Sequence, residues 1–187
     1  MTFQHDARTA KERFEIQFLN ETRTCSFRKD VPELTIGGEK LGPFKSGTET
    51  QLANWVIEKL VAHNLVDLDA TEAYESLRRF QNLYNAEEKQ PHKLQVFPPL
   101  LYSAIIRKMN QLQSDKTSIG PRQHDEIEKI RNMLEILVET RLSKLWRVAK
   151  SKSGANQDRR KQMALEERWL VDELGTLLST WREMVTE

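Results

Sequence analysis

Apolar positions change their spacing along the chain, and each change marks an element. Residues 1–12 are polar and predict at most a short helix. From Arg13 the pattern alternates: Phe14, Ile16 and Phe18 are separated by Glu15 and Gln17, which is a strand period. Thr22 to Phe27 predicts a second strand, and Leu34-Thr35-Ile36 a third, after Pro32. Gly37-Gly38 then predicts a turn. The spacing next becomes helical. Thr48 or Thr50 would cap a helix carrying Leu52, Trp55, Val56, Leu60 and Val61. Leu65 to Leu68 returns as a last strand. Short strands bury little by themselves, so residues 1–69 read as one small β-rich domain packed on one helix.

Residues 70–187 read as a helical domain. Asp69 or Thr71 starts a helix to about Ala86, with Tyr74, Leu77, Phe80 and Tyr84 on one face. Gln90 to Pro99 is an elbow, because Pro91, Pro98 and Pro99 cannot continue a helix interior. Leu100 to Gln113 is the next helix, and Ser114 to Gly120 a polar loop. The strongest pattern follows. Ile127, Ile130, Leu134, Leu137, Leu145 and Val148 form one stripe from about Arg122 to Lys150. At ~1.5 Å per residue that helix is roughly 43 Å long. Pro121 suits its first turn, and Lys144, Arg147 and Lys150 suit its last. After a loop at 151–156, Met163, Leu170, Leu174, Leu177, Trp181 and Met184 keep a seven-residue rhythm, with Glu167 in its one gap. The fold class is therefore α+β: a small N-terminal β-rich domain, then a mainly α-helical domain ending in a long helical hairpin.

The last helix is more apolar than one face requires. Leu165, Trp169, Val171 and Leu178 lie off its main stripe, and the earlier helices are too short to cover both faces of the hairpin. Such a surface meets another chain or caps the hairpin's own core. The candidate interface residues are Arg141, Leu145, Trp169, Leu170, Leu174, Leu178 and Trp181. Arg141 interrupts the stripe between Leu137 and Leu145, so it needs a carboxylate or carbonyl partner. A structural anchor is the leading reading, and contact to a partner protein the second.

Charge and composition narrow the function classes. The chain is 38% hydrophobic and 30% charged, which fits a well-solvated globular protein. Its 29 basic and 28 acidic residues leave a net charge of +1, against a wholesale nucleic-acid wrapper. A local basic cluster remains around the hairpin tip, formed by Lys144, Arg147, Lys150, Lys152, Arg159, Arg160 and Lys161, and of these Lys152, Arg159, Arg160 and Lys161 are candidate DNA contacts. Helix dipoles and solubility explain the same charges. Cys25 is the single cysteine, so no internal disulfide forms, and its alternating surroundings predict a buried strand position. No apolar run approaches the ~20 residues of a membrane span, and the N-terminus has no apolar signal core. A soluble, intracellular protein without membrane contact is expected.

No catalytic constellation stands out. His5, His63, His92 and His124 are scattered, and one cysteine excludes a Cys-rich zinc site. Neither a dinucleotide fingerprint nor a P-loop is present. Glu87-Glu88 and Glu166-Glu167 read as solvated helix faces. The chain is expected to be no enzyme and to need no metal or cofactor.

One stretch carries a family resemblance. Ile36-Gly37-Gly38, then Leu41-Gly42-Pro43-Phe44, Gly47 and a helix bearing Trp55 resemble the small β domain of GINS replication subunits, of the class that places it before the helical domain. Phe97-Pro98 before Leu101-Tyr102, and Asp125-Glu126-Ile127 with Thr140-Arg141-Leu142-Ser143-Lys144-Leu145, are similar to later motifs of that family. The three matches lie in order over roughly residues 30–150. The resemblance implies a non-catalytic scaffold. Its subunits would form a tetramer with sister GINS subunits through the helical domains. That tetramer would support the MCM replicative helicase at the fork, alongside a RecJ-like partner. A chromosome-associated protein is then expected, cytoplasmic if archaeal and nuclear if eukaryotic. The rival expectation is a helical nucleic-acid-binding module working through the basic tip.

Overall fold

The computed structural model describes residues 3–69, 71–73, 75–114, 121–151 and 156–186. The fold is α+β, with small antiparallel sheets within residues 22–68 before a helical region that ends in two long helices. The chain groups into two compact units, Glu15–Tyr74 and Met1–Phe14 with Glu75–Glu187.

In the first of these, β1 (Thr22–Phe27) is the middle strand of a three-stranded sheet. β4 (Glu49–Ala53) and β5 (Val66–Leu68) flank it, both antiparallel. Arg23, Cys25 and Phe27 alternate inward along β1, and α2 (Asn54–Ala62) covers that face with Val56, Ile57 and Leu60. Each fully buried Val, Leu, Ile or Phe of this core contributes about 1.5–3 kcal/mol. Burial, and then the nearby Glu72 charge, push the Cys25 thiol up, so it behaves as a small apolar side chain.

The Gly-Gly motif makes a tight hairpin. β2 (Leu34–Ile36) pairs with β3 (Glu39–Leu41), and Ile36 opposite Glu39 leaves Gly37 and Gly38 as the whole loop. Their φ values of +62° and +87° suit a two-residue turn that demands positive φ at both positions. Phe44 follows, exchanging backbone hydrogen bonds with Val31 and stacking on Phe27 at 4.2 Å between ring centroids. A Cβ on Gly42 would sit 3.1 Å from the Phe44 ring, and φ there is +95°, so glycine lets the aromatic ring fold back. Leu41, Phe44 and Trp55 are partly buried against this core.

Four expectations are corrected. Residues 13–18 are not a strand but belong to α1 (Phe3–Asn20). Alternation over five residues is too short to separate the two periods, and Ala10 and Phe18 are buried at helical spacing while Ile16 is exposed. Leu52 lies in β4, so the helix after it starts at Asn54 rather than at Thr48 or Thr50. Asp69 does not begin a long helix. Its carboxylate accepts from the Thr71 N–H and hydroxyl, and the Glu72 carboxylate is taken by Thr24 of β1. The helix α3 begins at Leu77 (Leu77–Glu88), and Tyr74 lies outside the described residues.

The fourth correction concerns the long helices. In the helical unit, α5 (Pro121–Ala149) packs against α3, against α4 (Leu101–Ser114) and against α7 (Leu165–Thr186). A short α6 (Gln157–Lys161), capped by the Asn156 side chain on Arg159 N, stands between α5 and α7. A simple hairpin would bring the start of α7 to the end of α5. Instead Arg141 meets Glu167, a Cβ on Gly175 would reach Ala149 O, and Arg182 donates to Lys150 O. Residue numbers rise together on both helices, so α7 runs beside the last turns of α5 in the same sense. Past Gly175 it continues beyond the end of α5.

Candidate functional site

Buried charge is concentrated at the centre of the helical unit. Arg141 and Lys144 stand one turn apart on α5, facing the same side. Glu87 comes from the last turn of α3, and Glu167 from the first turn of α7. All four are buried, Arg141 completely (0% exposed). Two cations and two carboxylates make the group electrically neutral, which is the condition for keeping it out of water.

Every donor of Arg141 is used. Nε and Nη2 form a fork on Glu167, at 2.8 and 2.6 Å. Nη1 donates to Glu87 Oε2 and to the Gln95 carbonyl, both at 3.1 Å, and Nη2 also to the Gln162 carbonyl at 3.2 Å. These are the five N–H bonds a guanidinium can make. The Phe97 ring covers its face at 3.9 Å. Burial alone would depress the Arg141 pKa, but Glu167 and Glu87 outweigh it and hold it raised.

Lys144 divides three N–H donors among Glu87 Oε1 and the carbonyls of Glu87, Gln90 and Lys93. The Glu87 carbonyl lies in the last turn of α3, where carbonyls lose their intrahelical donors. The two cations thus tie the ends of α3 and α6, and the 90–97 elbow, to α5.

α4 joins from its first turn. Tyr102 donates to Glu167 Oε1 at 2.7 Å, and its hydroxyl pKa is pushed well up, first by burial and then by Glu167. Ser103 donates twice to Glu166 Oε1, through N–H at 3.1 Å and through Oγ at 2.9 Å. The Glu166 carboxyl is pushed up by burial. Among the described residues, its Oε2 is the buried side-chain oxygen left without a partner. Glu87 and Glu167 are each held by several donors, so the arrangement fixes their geometry. Among the described residues no His, Cys, Asp and Glu group could hold a metal ion.

Glu87, Glu166 and Glu167 are therefore not solvated faces, which corrects that expectation. The signal was present: two cations at i and i+3 in an apolar stripe call for buried carboxylates, and Glu167 fills an apolar gap.

No protein-family model and no curated protein sequence matches the chain.

The predicted interface residues separate into two groups. Arg141 and Leu145 lie in the chain's own core and have no surface left to offer a second chain. Arg141 leaves the interface set because its guanidinium is fully paired, and Leu145 because it is buried in the core cluster. Trp169 and Leu170 are half-buried, and Leu174 and Leu178 pack partly against Leu145, Val148, Ala149 and Val171. Trp181 is 60% exposed, and Leu177, Met184 and Val185 share that exposure. These four recur at i, i+4, i+7 and i+8, one face of a helix. The stripe that packs on α5 up to Leu178 thus runs on uncovered.

The basic tip is weaker than its composition suggests. Arg160 is forked onto Asp172 at 2.7 and 2.8 Å, and Lys161 approaches Asp158 at 4.0 Å. Arg159 is exposed, and Lys152 lies outside the described residues. Among the described residues no helix is long and apolar enough to cross a membrane.

Proposed function

We propose that the chain is a non-catalytic assembly subunit whose outer half of α7 packs against helices of a second chain. The observation that carries this reading is the continuation of one apolar stripe past its intramolecular cover, from Val171 and Leu178 to Leu177, Trp181, Met184 and Val185. The stripe occupies three positions of each heptad (170/177/184, 171/178/185 and 174/181), wider than a two-stranded seam. That width fits a bundle of several helices. The saturated buried charges support a structural role over a chemical one.

The assembly we propose is of the GINS type, with a sister GINS subunit as the partner and the MCM replicative helicase as the machine it supports. A RecJ-like partner and a chromosome-associated location belong to the same proposal. The support is the Gly37-Gly38 hairpin, with Phe44 and Trp55 of the same motif packed on the small core. Co-expression with a sister GINS subunit, followed by light scattering, tests it. A stable complex that Leu177→Glu with Trp181→Glu dissolves is the expected result. A chain that stays monomeric with and without the sister subunit counts against it.

A further inference from the structure

Lys144 also shapes the surface above it. Its ammonium draws the carbonyls of Gln90 and Lys93 inward, at 2.7 and 3.0 Å. Lys89, His92 and Lys93 of the same loop are exposed. Arg147, one turn after Lys144 on α5, is exposed too, and its Nη1 lies 3.3 Å from His92 Nδ1. Lys150 stands one turn beyond both Arg147 and Trp146, and Trp146 is 46% exposed. The loop and Arg147 therefore present cations on one side of α5, and Lys150 and then the open Trp146 ring follow round its end.

Helix ends alone do not account for this charge. The carbonyl ends of α3 and α5 carry about −0.5 each, roughly −1 together. Glu88 adds one negative charge against four positive ones on Lys89, Lys93, Arg147 and Lys150. A surplus of about +2 remains, and among the described residues no ion pair engages these four. The patch is distinct from Arg160 and Lys161, whose charges face carboxylates.

We propose that this face binds single-stranded nucleic acid, with a base stacked on Trp146 and phosphates held by Arg147, Lys89, Lys93 and Lys150. An exposed ring suits an unstacked base, which a duplex does not offer. A guanidinium beside lysines suits phosphate oxygens. Four phosphate contacts predict a slope of about −3 for log affinity against log salt on a single strand. The proposal is independent of the assembly reading and adds a second surface to it.

The test is fluorescence anisotropy of a labelled oligothymidylate with the full chain at low salt. Lys89→Glu with Lys93→Glu and Arg147→Glu is expected to weaken binding at least about 10-fold and to flatten the salt slope by about 2. Trp146→Ala is expected to weaken it at least about 5-fold, and Trp146→Phe to retain most of it. Arg159→Glu with Lys161→Glu serves as the control and is expected to change affinity less than about 2-fold. All these side chains are exposed, and circular dichroism verifies that each variant folds. The proposal is overturned by absence of binding at low salt, by equal loss in the control, or by indifference to Trp146→Ala. Duplex DNA or polyglutamate binding as tightly as the oligothymidylate overturns it as well.

Discussion

At Arg141 five N–H donors meet five acceptors, so a substitution there acts through what it leaves behind. Arg141→Ala strands Glu87 and Glu167 in the core. A loss of about 3–5 kcal/mol is expected, a fall in melting temperature of about 6–20 °C for a chain this size. Arg141→Lys keeps the charge but has three donors and no planar fork, so it rescues only part of that loss. Thermal unfolding of the three proteins ranks them. Glu166 behaves oppositely. Its folded pKa is raised by burial above the ordinary 4.5, so the charged form is disfavoured in the native state. The resulting cost is absent below the unfolded pKa and grows as pH rises through the folded one. Glu166→Gln is expected to melt higher than the parent at pH 7, with the difference closing below about pH 4.5. A melting series from pH 4 to 8 that shows a constant offset would rule this out. Arg141 was legible in the sequence because it interrupts an apolar stripe. Its partners were not, because Glu87 and Glu167 lie 54 and 26 residues away and only the fold brings them together.

At the scale of elements, local chemistry was legible wherever a residue type dictates the backbone. Gly37-Gly38 named its turn, and Gly38→Val is expected to destabilise the hairpin by about 1–2 kcal/mol. Gly38→Asn is expected to cost less, since asparagine tolerates the left-handed region, and chemical denaturation of both variants measures the gap. Long periodic segments were legible too, and α4 and α5 fall within a residue or so of their predicted bounds. Short segments were not. α1 hid behind a five-residue alternation, and β4 behind the apolar face of the helix it leads into. β4 exists because β1 needs a partner on that edge, a demand from residues 22–26 that no window around 49–53 contains. The direction of α7 was hidden for a similar reason: nothing in a heptad tells which way the neighbouring helix runs.

For the whole molecule, the balance of 29 basic and 28 acidic residues leaves little repulsion between copies. The uncovered end of α7 is therefore not kept apart from another such surface. Light scattering of the lone chain is expected to show a mass rising above 21.9 kDa with concentration. Leu177→Ser with Trp181→Ser is expected to hold it at that value while changing monomer stability by about 0.5 kcal/mol or less. A melting temperature that collapses in this variant would instead place those side chains in the monomer's own core. The geometry of α7 has a mechanical side as well. The helix is clamped at its first turn, where Glu167 accepts from Arg141, and it stays packed as far as Leu178; beyond that, among the described residues, Arg182 donates to Lys150 O. From Leu178 to Thr186 it overhangs by roughly 12 Å at ~1.5 Å per residue. A tilt of about 5° at Leu178 moves the tip by roughly 1 Å over that length. Whatever grips the tip thereby gains leverage on that last packed turn, and a partner seated on Trp181 would stiffen the core cluster that Leu178 packs against.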